Sequence, residues 1–227
     1  MPSWITAFVD VGASRHAASQ AFWAAVTGSS VSPVRGARGE FATFVPSSGD
    51  AYLRCQRIEA GPAGVHLDLH LPGQEFARRS SPGGLAWCQV PGEESERPMP
   101  MIWAGGQASL VDQICLDTGP SAYDEECAFW AETTGWELRD GSREEFRVLV
   151  RPDGMPLRLL LQRLATDEGP VRAHLDLATS DRAAETDRHR ELGARVEATR
   201  NQWTVLRDPG GATYCITDRD PYTGLLA

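Results

Sequence analysis

Short apolar runs bounded by turn residues alternate along this chain with stretches in which apolar positions recur every three or four residues. The first kind predicts strands over residues 5–11 and 111–118. The second predicts helices over 14–27 and 121–134, the latter with Tyr123, Cys127 and Trp130 on one face. Each has a serine placed to cap its start and a glycine, Gly28 or Gly135, placed to stop it. Strands follow over 41–45, 51–58 and 65–71, and again over 146–151, 157–164 and 173–178. A helix over 181–192, closed by Gly193, and strands over 195–199, 203–207 and 213–217 complete the series. The unit is strand, helix, then several strands.

The same unit recurs because the sequence itself recurs. Asp10-Val11, Ala21-Phe22-Trp23 and Gly28 return as Asp117-Thr118, Ala128-Phe129-Trp130 and Gly135. Leu53 to Arg57 matches Leu159 to Arg163, and His66-Leu67-Asp68-Leu69 matches His174-Leu175-Asp176-Leu177. Ser81-Pro82-Gly83-Gly84 with Trp87-Cys88 matches Asp208-Pro209-Gly210-Gly211 with Tyr214-Cys215. Two α+β domains are therefore expected, 1–92 and 110–227, joined by a Pro-, Gly- and Glu-rich linker over 93–109. Met99 to Trp103 is apolar enough to lie against one of them. From His66 to Cys88 is 22 residues and from His174 to Cys215 is 41. The first copy thus lacks a stretch corresponding to 182–201, a helix plus part of a strand, and is shortened in its second half.

Composition then removes whole classes of chemistry. The chain has 227 residues and a formal net charge of −9, and each of its 22 basic residues is arginine. Without lysine there is no Schiff-base enzyme, no phosphate-loop lysine and no Ser-x-x-Lys nucleophile. The Gly-x-Ser-x-Gly, His-Glu-x-x-His and Gly-x-Gly-x-x-Gly signatures are missing as well. An acidic chain without a basic cluster does not suit nucleic acid. No apolar run approaches the roughly 20 residues of a membrane-spanning helix. Met1-Pro2-Ser3-Trp4 lacks the character of an export signal, so a cytoplasmic protein is expected. Five widely spaced cysteines, with no Cys-x-x-Cys pair, read as reduced thiols.

The repeated blocks carry a resemblance. Asp10 with Phe22-Trp23, Gln56-Arg57, His66-Leu67-Asp68-Leu69 and Pro82-Gly83-Gly84 with Cys88 resemble the vicinal oxygen chelate superfamily of glyoxalases, bleomycin-resistance proteins and extradiol dioxygenases. The closer likeness is to its tandem glyoxalase-like domains, and the second copy matches better. The resemblance implies paired βαβββ modules whose mixed sheets curl into a cup. In that superfamily the cup commonly holds a divalent metal that chelates vicinal oxygens of a substrate. Carried over by position, the ligand places fall on Phe8, Gln56, His66 and Cys88 in the first copy, and on Cys115, Gln162, His174 and Cys215 in the second. Neither set contains the two histidines and one carboxylate that iron, manganese or nickel favour.

The candidate chemistry is correspondingly narrow. His66, Asp68 and His70 alternate along one strand and share a face, as do His174 and Asp176. Each His beside an Asp is either an acid/base pair or a histidine held in place by a carboxylate. Cys115, His174 and Cys215, with Gln162 nearby, form a zinc-like set, or else the cysteines are small apolar strand residues. Phe22-Trp23 and Phe129-Trp130 are expected under the sheets. Asp124-Glu125-Glu126 and the helix over 181–190 are expected as solvated faces, with His16 and His189 exposed. The leading expectation is a protein that binds a small organic molecule without metal or other cofactor, in a pocket using His66, Asp68, His70, Gln56 and Tyr214. The alternative is a lyase or isomerase, zinc-dependent through Cys115, His174 and Cys215 or metal-free through His174 and Asp176. A monomer or homodimer is expected, with a small-molecule ligand as its partner and neither nucleic acid nor membrane.

Overall fold

The opening apolar run forms strand β1 (Trp4–Gly12), whose alternate residues Ile5, Ala7, Val9 and Val11 are buried. The computed structural model describes residues 1–92, 96–167 and 169–226. After β1 come α1 (Ala13–Thr27), β2 (Ser30–Val31), β3 (Phe41–Val45) and β4 (Leu53–Ile58), the first module. The second is β5 (Gly64–Leu71), β6 (Ala77–Ser80) and β7 (Ala86–Pro91). A short β8 (Met101–Ile102) leads into β9 (Ala108–Thr118), α2 (Tyr123–Thr134), β10 (Leu138–Asp140), β11 (Phe146–Leu149) and β12 (Arg158–Arg163). The last module is β13 (Arg172–Thr179), α3 (Arg182–Glu191), β14 (Arg195–Thr199), β15 (Trp203–Arg207) and β16 (Thr213–Thr217). The segment expected to be missing from the first copy is α3 with β14, and β5 there runs through β6 into β7 with no helix.

Each domain is one open mixed sheet. Their orders are β2-β3-β4-β1-β5-β7-β6 and β10-β11-β12-β9-β13-β16-β15-β14, with β8 pairing β9 at Met101 and Ile102. The modules of a domain meet at antiparallel pairs, β1 with β5 and β9 with β13, whose registers set Phe8 opposite His66 and Cys115 opposite His174. In β9 the pairing steps from Gln113 to Val111, so Asp112 is the extra residue of a bulge.

Gly28 and Gly135 end their helices as expected, at φ 63° and 68°, with their N–H groups bonded to the carbonyls of Ala24 and Ala131. The expected serine caps do not form. Gly12 and Ala122 stand at those positions without side-chain bonds, and the Ser121 hydroxyl donates to Asp167 instead, at 2.9 Å.

The helices pack across the domains. Phe22 and Trp23 of α1 lie on Tyr214 of β16, with ring centroids 5.8 and 5.2 Å away, and Trp130 of α2 lies 5.8 Å from Trp87 of β7. This arrangement corrects four expectations about charged and histidine residues. Glu126 is buried, accepting from the Gly83 N–H and, at 2.8 Å, from the Trp130 indole. Glu185 and His189 of α3 are buried, and His16 is half-buried. Arg188 reaches from α3 to the carbonyls of Ala25 and Val26 at the end of α1, over the face of Trp103 in the linker. Asp124, Glu125 and the rest of those polar faces are solvated as expected.

Candidate functional site

Opposite the helices, the concave face of the second sheet lines an open cavity of about 270 Å3. Strand alternation puts Gln113, Cys115 and Asp117 of β9 on this face, beside Gln162 of β12, His174 and Asp176 of β13, and Cys215 of β16. Cys115, Gln162, His174, Asp176 and Cys215 therefore come together. The Cys115 thiol points at Gln162 Oε1 at 3.6 Å, and Cys215 Sγ lies 3.7 Å from His174 Nε2. Phe146 and Trp203, edge to face at 5.9 Å, form an aromatic wall with Val148 and Leu160, and Leu225 and Leu226 line the cavity from the chain's last segment.

His174 is the centre of this floor. Its Nδ1 lies 3.0 Å from Asp117 Oδ2, while Nε2 lies 3.3 Å from Asp176 Oδ1. Burial opposes an imidazolium here, but Cys115, Asp117 and Cys215 favour one and outweigh it, holding the His174 pKa well above its ordinary value. Burial pushes the Cys115 thiol up to about 12 and raises Cys215 too. Burial alone would raise Asp176, yet its contacts with His174, Arg219 and Gln113 keep it below the usual carboxylate value. Behind it runs a relay: Arg158 donates to Gln113 Oε1, Gln113 donates to Asp176 Oδ2, and buried Arg219 donates to the bulged Asp112.

The first domain carries the same frame with a filled floor. Phe8 stands at the place of Cys115 and stacks on His66 at 4.5 Å, with the Arg54 guanidinium over the Phe8 ring, 5.4 Å from its centroid. His66 Nδ1 meets Asp10 at 2.6 Å, the counterpart of the His174–Asp117 contact, so the aspartate that holds each histidine comes from the neighbouring strand. Asp68 stays close to Cys88, and burial raises its pKa. His70 meets Thr6 at 2.8 Å, and burial with Arg54 lowers it to about 4. Gln56 is half-buried beside Asp10 on β4.

Tyr214 corrects the expected pocket set. Its neighbour Cys215 faces the cup, so Tyr214 faces the helices, fully buried, with its hydroxyl hydrogen-bonded to His189 Nδ1 at 2.9 Å. Sequence reasoning did not single out Gln113, Asp117, Arg158 or Arg219 as cup residues. Asp117 had a signal, being part of a repeated block, and Gln113 shares the period-two face of Cys115. Arg158 and Arg219 had none.

Comparison with known proteins fits this frame. The glyoxalase-like domain family matches residues 6–84 and 113–217, more than half of the chain. The chain belongs to that family. It is thereby a vicinal oxygen chelate protein, and its two-lobed α+β fold with open mixed sheets is that of tandem glyoxalase-like domains. No curated protein matches it. Among solved structures, the Mn(II)-bound glyoxalase from Novosphingobium aromaticivorans is 15% identical, with 100% of this chain and 86% of that one covered at a TM-score of 0.60. A mutant of homoprotocatechuate 2,3-dioxygenase from Brevibacterium fuscum is also 15% identical, covering 98% and 73% at 0.60. A mutant of 4-hydroxymandelate synthase from Streptomyces coelicolor is 14% identical, covering 96% and 93% at 0.59. At such identities the likeness is one of fold. Among the described residues, no helix is long and apolar enough to cross a membrane.

The cup's donor set does not fit a manganese-type centre. Two thiols stand where such an ion needs oxygen or imidazole, so only His174 and the Gln162 amide oxygen are suitable donors among the four positions. Arg158 and Arg219 also bring permanent positive charge to the same wall.

Proposed function

We propose that the cup of the second domain binds a small organic molecule with an apolar or aromatic body, without the divalent metal that the Mn(II)-bound glyoxalase carries. One observation carries this reading: a cavity of about 270 Å3 is retained, while three of its four ligand positions hold Cys115, Gln162 and Cys215. A concave site with an aromatic wall and a few convergent polar groups is what small-molecule binding needs. Phe146 and Trp203 supply apolar area, and Gln162, Gln113 and the Thr217 hydroxyl face supply orienting groups. The first domain, its floor filled by Phe8, serves as scaffold.

A zinc-dependent reading is kept beside it because His174, Asp176 and Cys215 offer donor atoms within 4.8 Å of one another, as do Cys115, Asp117 and His174. The trio of Cys115, His174 and Cys215 is not one of these groups, so zinc here would be held by His174, Asp176 and Cys215, with Asp117 fixing the imidazole. A zinc ion there would supply a Lewis acid for lyase or isomerase chemistry.

Elemental analysis of the purified chain, followed by titration with zinc and manganese, separates the two. The expected outcome is no stoichiometric metal and no saturable uptake. Stoichiometric zinc that disappears in Cys215→Ser would overturn the metal-free reading. Ligand binding is read by quenching of Trp203 fluorescence with a neutral aromatic probe, benzyl alcohol. Wild type should bind saturably, and Phe146→Ala should weaken binding about tenfold, roughly the 1–2 kcal/mol of one lost aromatic contact.

A further inference from the structure

Beside the cup lies a second cavity of about 440 Å3, and the two share Arg158, Val148, Asp140 and Leu225. Its walls concentrate arginine. Arg97 enters from near the start of the linker, Arg139 from β10, Arg151 from the turn after β11 and Arg158 from β12, while Arg219 stands behind Arg158 in the cup. These groups are close enough to act on one another: Arg151 feels the charges of Arg97 and Arg219, and Arg158 those of Arg219 and Arg151.

Their compensation is incomplete. Among the described residues, the buried carboxylates here are Asp112 and Asp176, both facing Arg219. The other acidic groups of this wall, Asp140 and Asp153, are exposed at its rim, where Asp140 faces Arg147 at 3.8 Å, and Glu137 pairs with Arg139 in solvent. Arg97, Arg151 and Arg158 bond mainly to neutral acceptors. Arg97 donates to the Tyr222 and Pro221 carbonyls at 2.9 and 3.3 Å, Arg151 to those of Pro156 and Asp112 at 2.9 and 3.2 Å, and Arg158 to that of Gly224 at 3.0 Å. A carbonyl satisfies an N–H without cancelling its charge. Four half-buried or buried guanidiniums (Arg97, Arg151, Arg158, Arg219) thus face two buried carboxylates, in a chain whose net charge is −9. Two of them, Arg97 and Arg219, keep a buried Nε–H with no partner among the described residues.

Buried positive charge without a counter-ion is costly, and a guanidinium fork matches the two oxygens of a carboxylate or phosphate. We propose that this arginine-lined chamber is an oxyanion subsite. It takes the carboxylate or phosphate group of the molecule whose apolar body fills the cup, with Arg158 at the junction. The link to an apolar body rests on the reading of the cup given above, whereas the anion site stands on the arginines alone.

The test is equilibrium binding of inorganic phosphate and, separately, malonate to the full chain at constant ionic strength, with chloride as the balancing salt. One or both should bind saturably at one per chain, and the tighter of the two names the group. Arg158→Gln and Arg97→Gln should each weaken binding at least tenfold, and Arg139→Gln, on the exposed edge strand where folding is least at risk, severalfold. Arg190→Gln, on the outer face of α3, should change nothing. The proposal is overturned if neither anion binds beyond chloride, or if binding survives unchanged in the folded chamber variants. Benzyl alcohol binding, measured on the same samples, keeps the two readings apart. Anion failure with the aromatic probe still bound removes the subsite alone, and the reverse removes the cup reading alone.

Discussion

At the scale of single residues, Glu185 shows how burial reverses what composition suggests. Surrounded by charged neighbours on a polar helix, it reads as solvated, yet it is buried against Ser109, Arg188 and His189, with contacts of 2.7, 2.6 and 3.2 Å. Burial alone would raise its pKa, but the hydrogen bonds from His189 and Arg188 dominate and bring it down to about 2. A carboxylate depressed in the folded state contributes stability that is full above its ordinary value of 4.5 and is lost as pH falls toward 2. The linked term is on the order of 3 kcal/mol. His189, lowered mainly by burial, adds loss in the same direction as pH drops through the ordinary histidine value of 6.5. Urea unfolding between pH 6 and 3 should therefore show a steep fall in stability for wild type and a shallower one for Glu185→Gln; equal slopes would refute the assignment. The cup residues were partly legible at this scale. Alternation along β13 put His174 and Asp176 on one face, whereas no periodicity announces that Asp117, two strand positions from Cys115, holds Nδ1.

At the scale of elements, helix ends were more legible than helix starts. A left-handed residue after the last turn is nearly a glycine monopoly, so Gly28 and Gly135 read directly from the chain. Serine near a start is a weaker sign, since its hydroxyl can find other partners, as Ser121 does with Asp167. Gly135→Ala should cost about 1 kcal/mol through its positive φ, with the Met1 side chain, 2.9 Å from the added Cβ, yielding. Thermal unfolding checks this, and an unchanged midpoint would contradict the left-handed cap. The Pro-Gly-Gly turns belong to this scale too. Gly210 packs against Ser19 and Gly83 against Val171, so close that a Cβ would lie 2.8 and 2.4 Å from them. These turns are docking surfaces for the other domain, which is why both copies keep glycine there.

At the scale of the whole molecule, the two halves are latched by buried carboxylates supplied from opposite sides. Asp208, in the turn of the second domain, accepts from Ser19 and Trp23 of α1 at 2.7 and 2.8 Å. Across the pseudo-repeat the acid sits on the helix instead, where Glu126 accepts from Trp130 and from Gly83 of the first domain's turn. Asp208→Ala and Glu126→Ala each strand a buried indole N–H and should cost about 2–3 kcal/mol. Sharing no partner, they should add in the double variant. Chemical denaturation should stay a single transition in wild type, because Trp23 and Trp130 complete a core across the domains, and two separate transitions would contradict that coupling. By itself, the sequence determined the order of elements, the duplication and the segment missing from the first copy. These depend on local periodicity and on spacing within one chain segment, whereas the four cup positions came from the family resemblance. Which faces become buried by the partner domain, why Glu126 and His189 leave water, that Tyr214 turns from the cup, and that arginines from the linker, β10, the turn after β11 and β12 gather in one chamber were decided by tertiary structure alone. Periodicity marks the apolar side of an element, but the partners of a polar side chain lie on other elements, and only their packing brings them within reach.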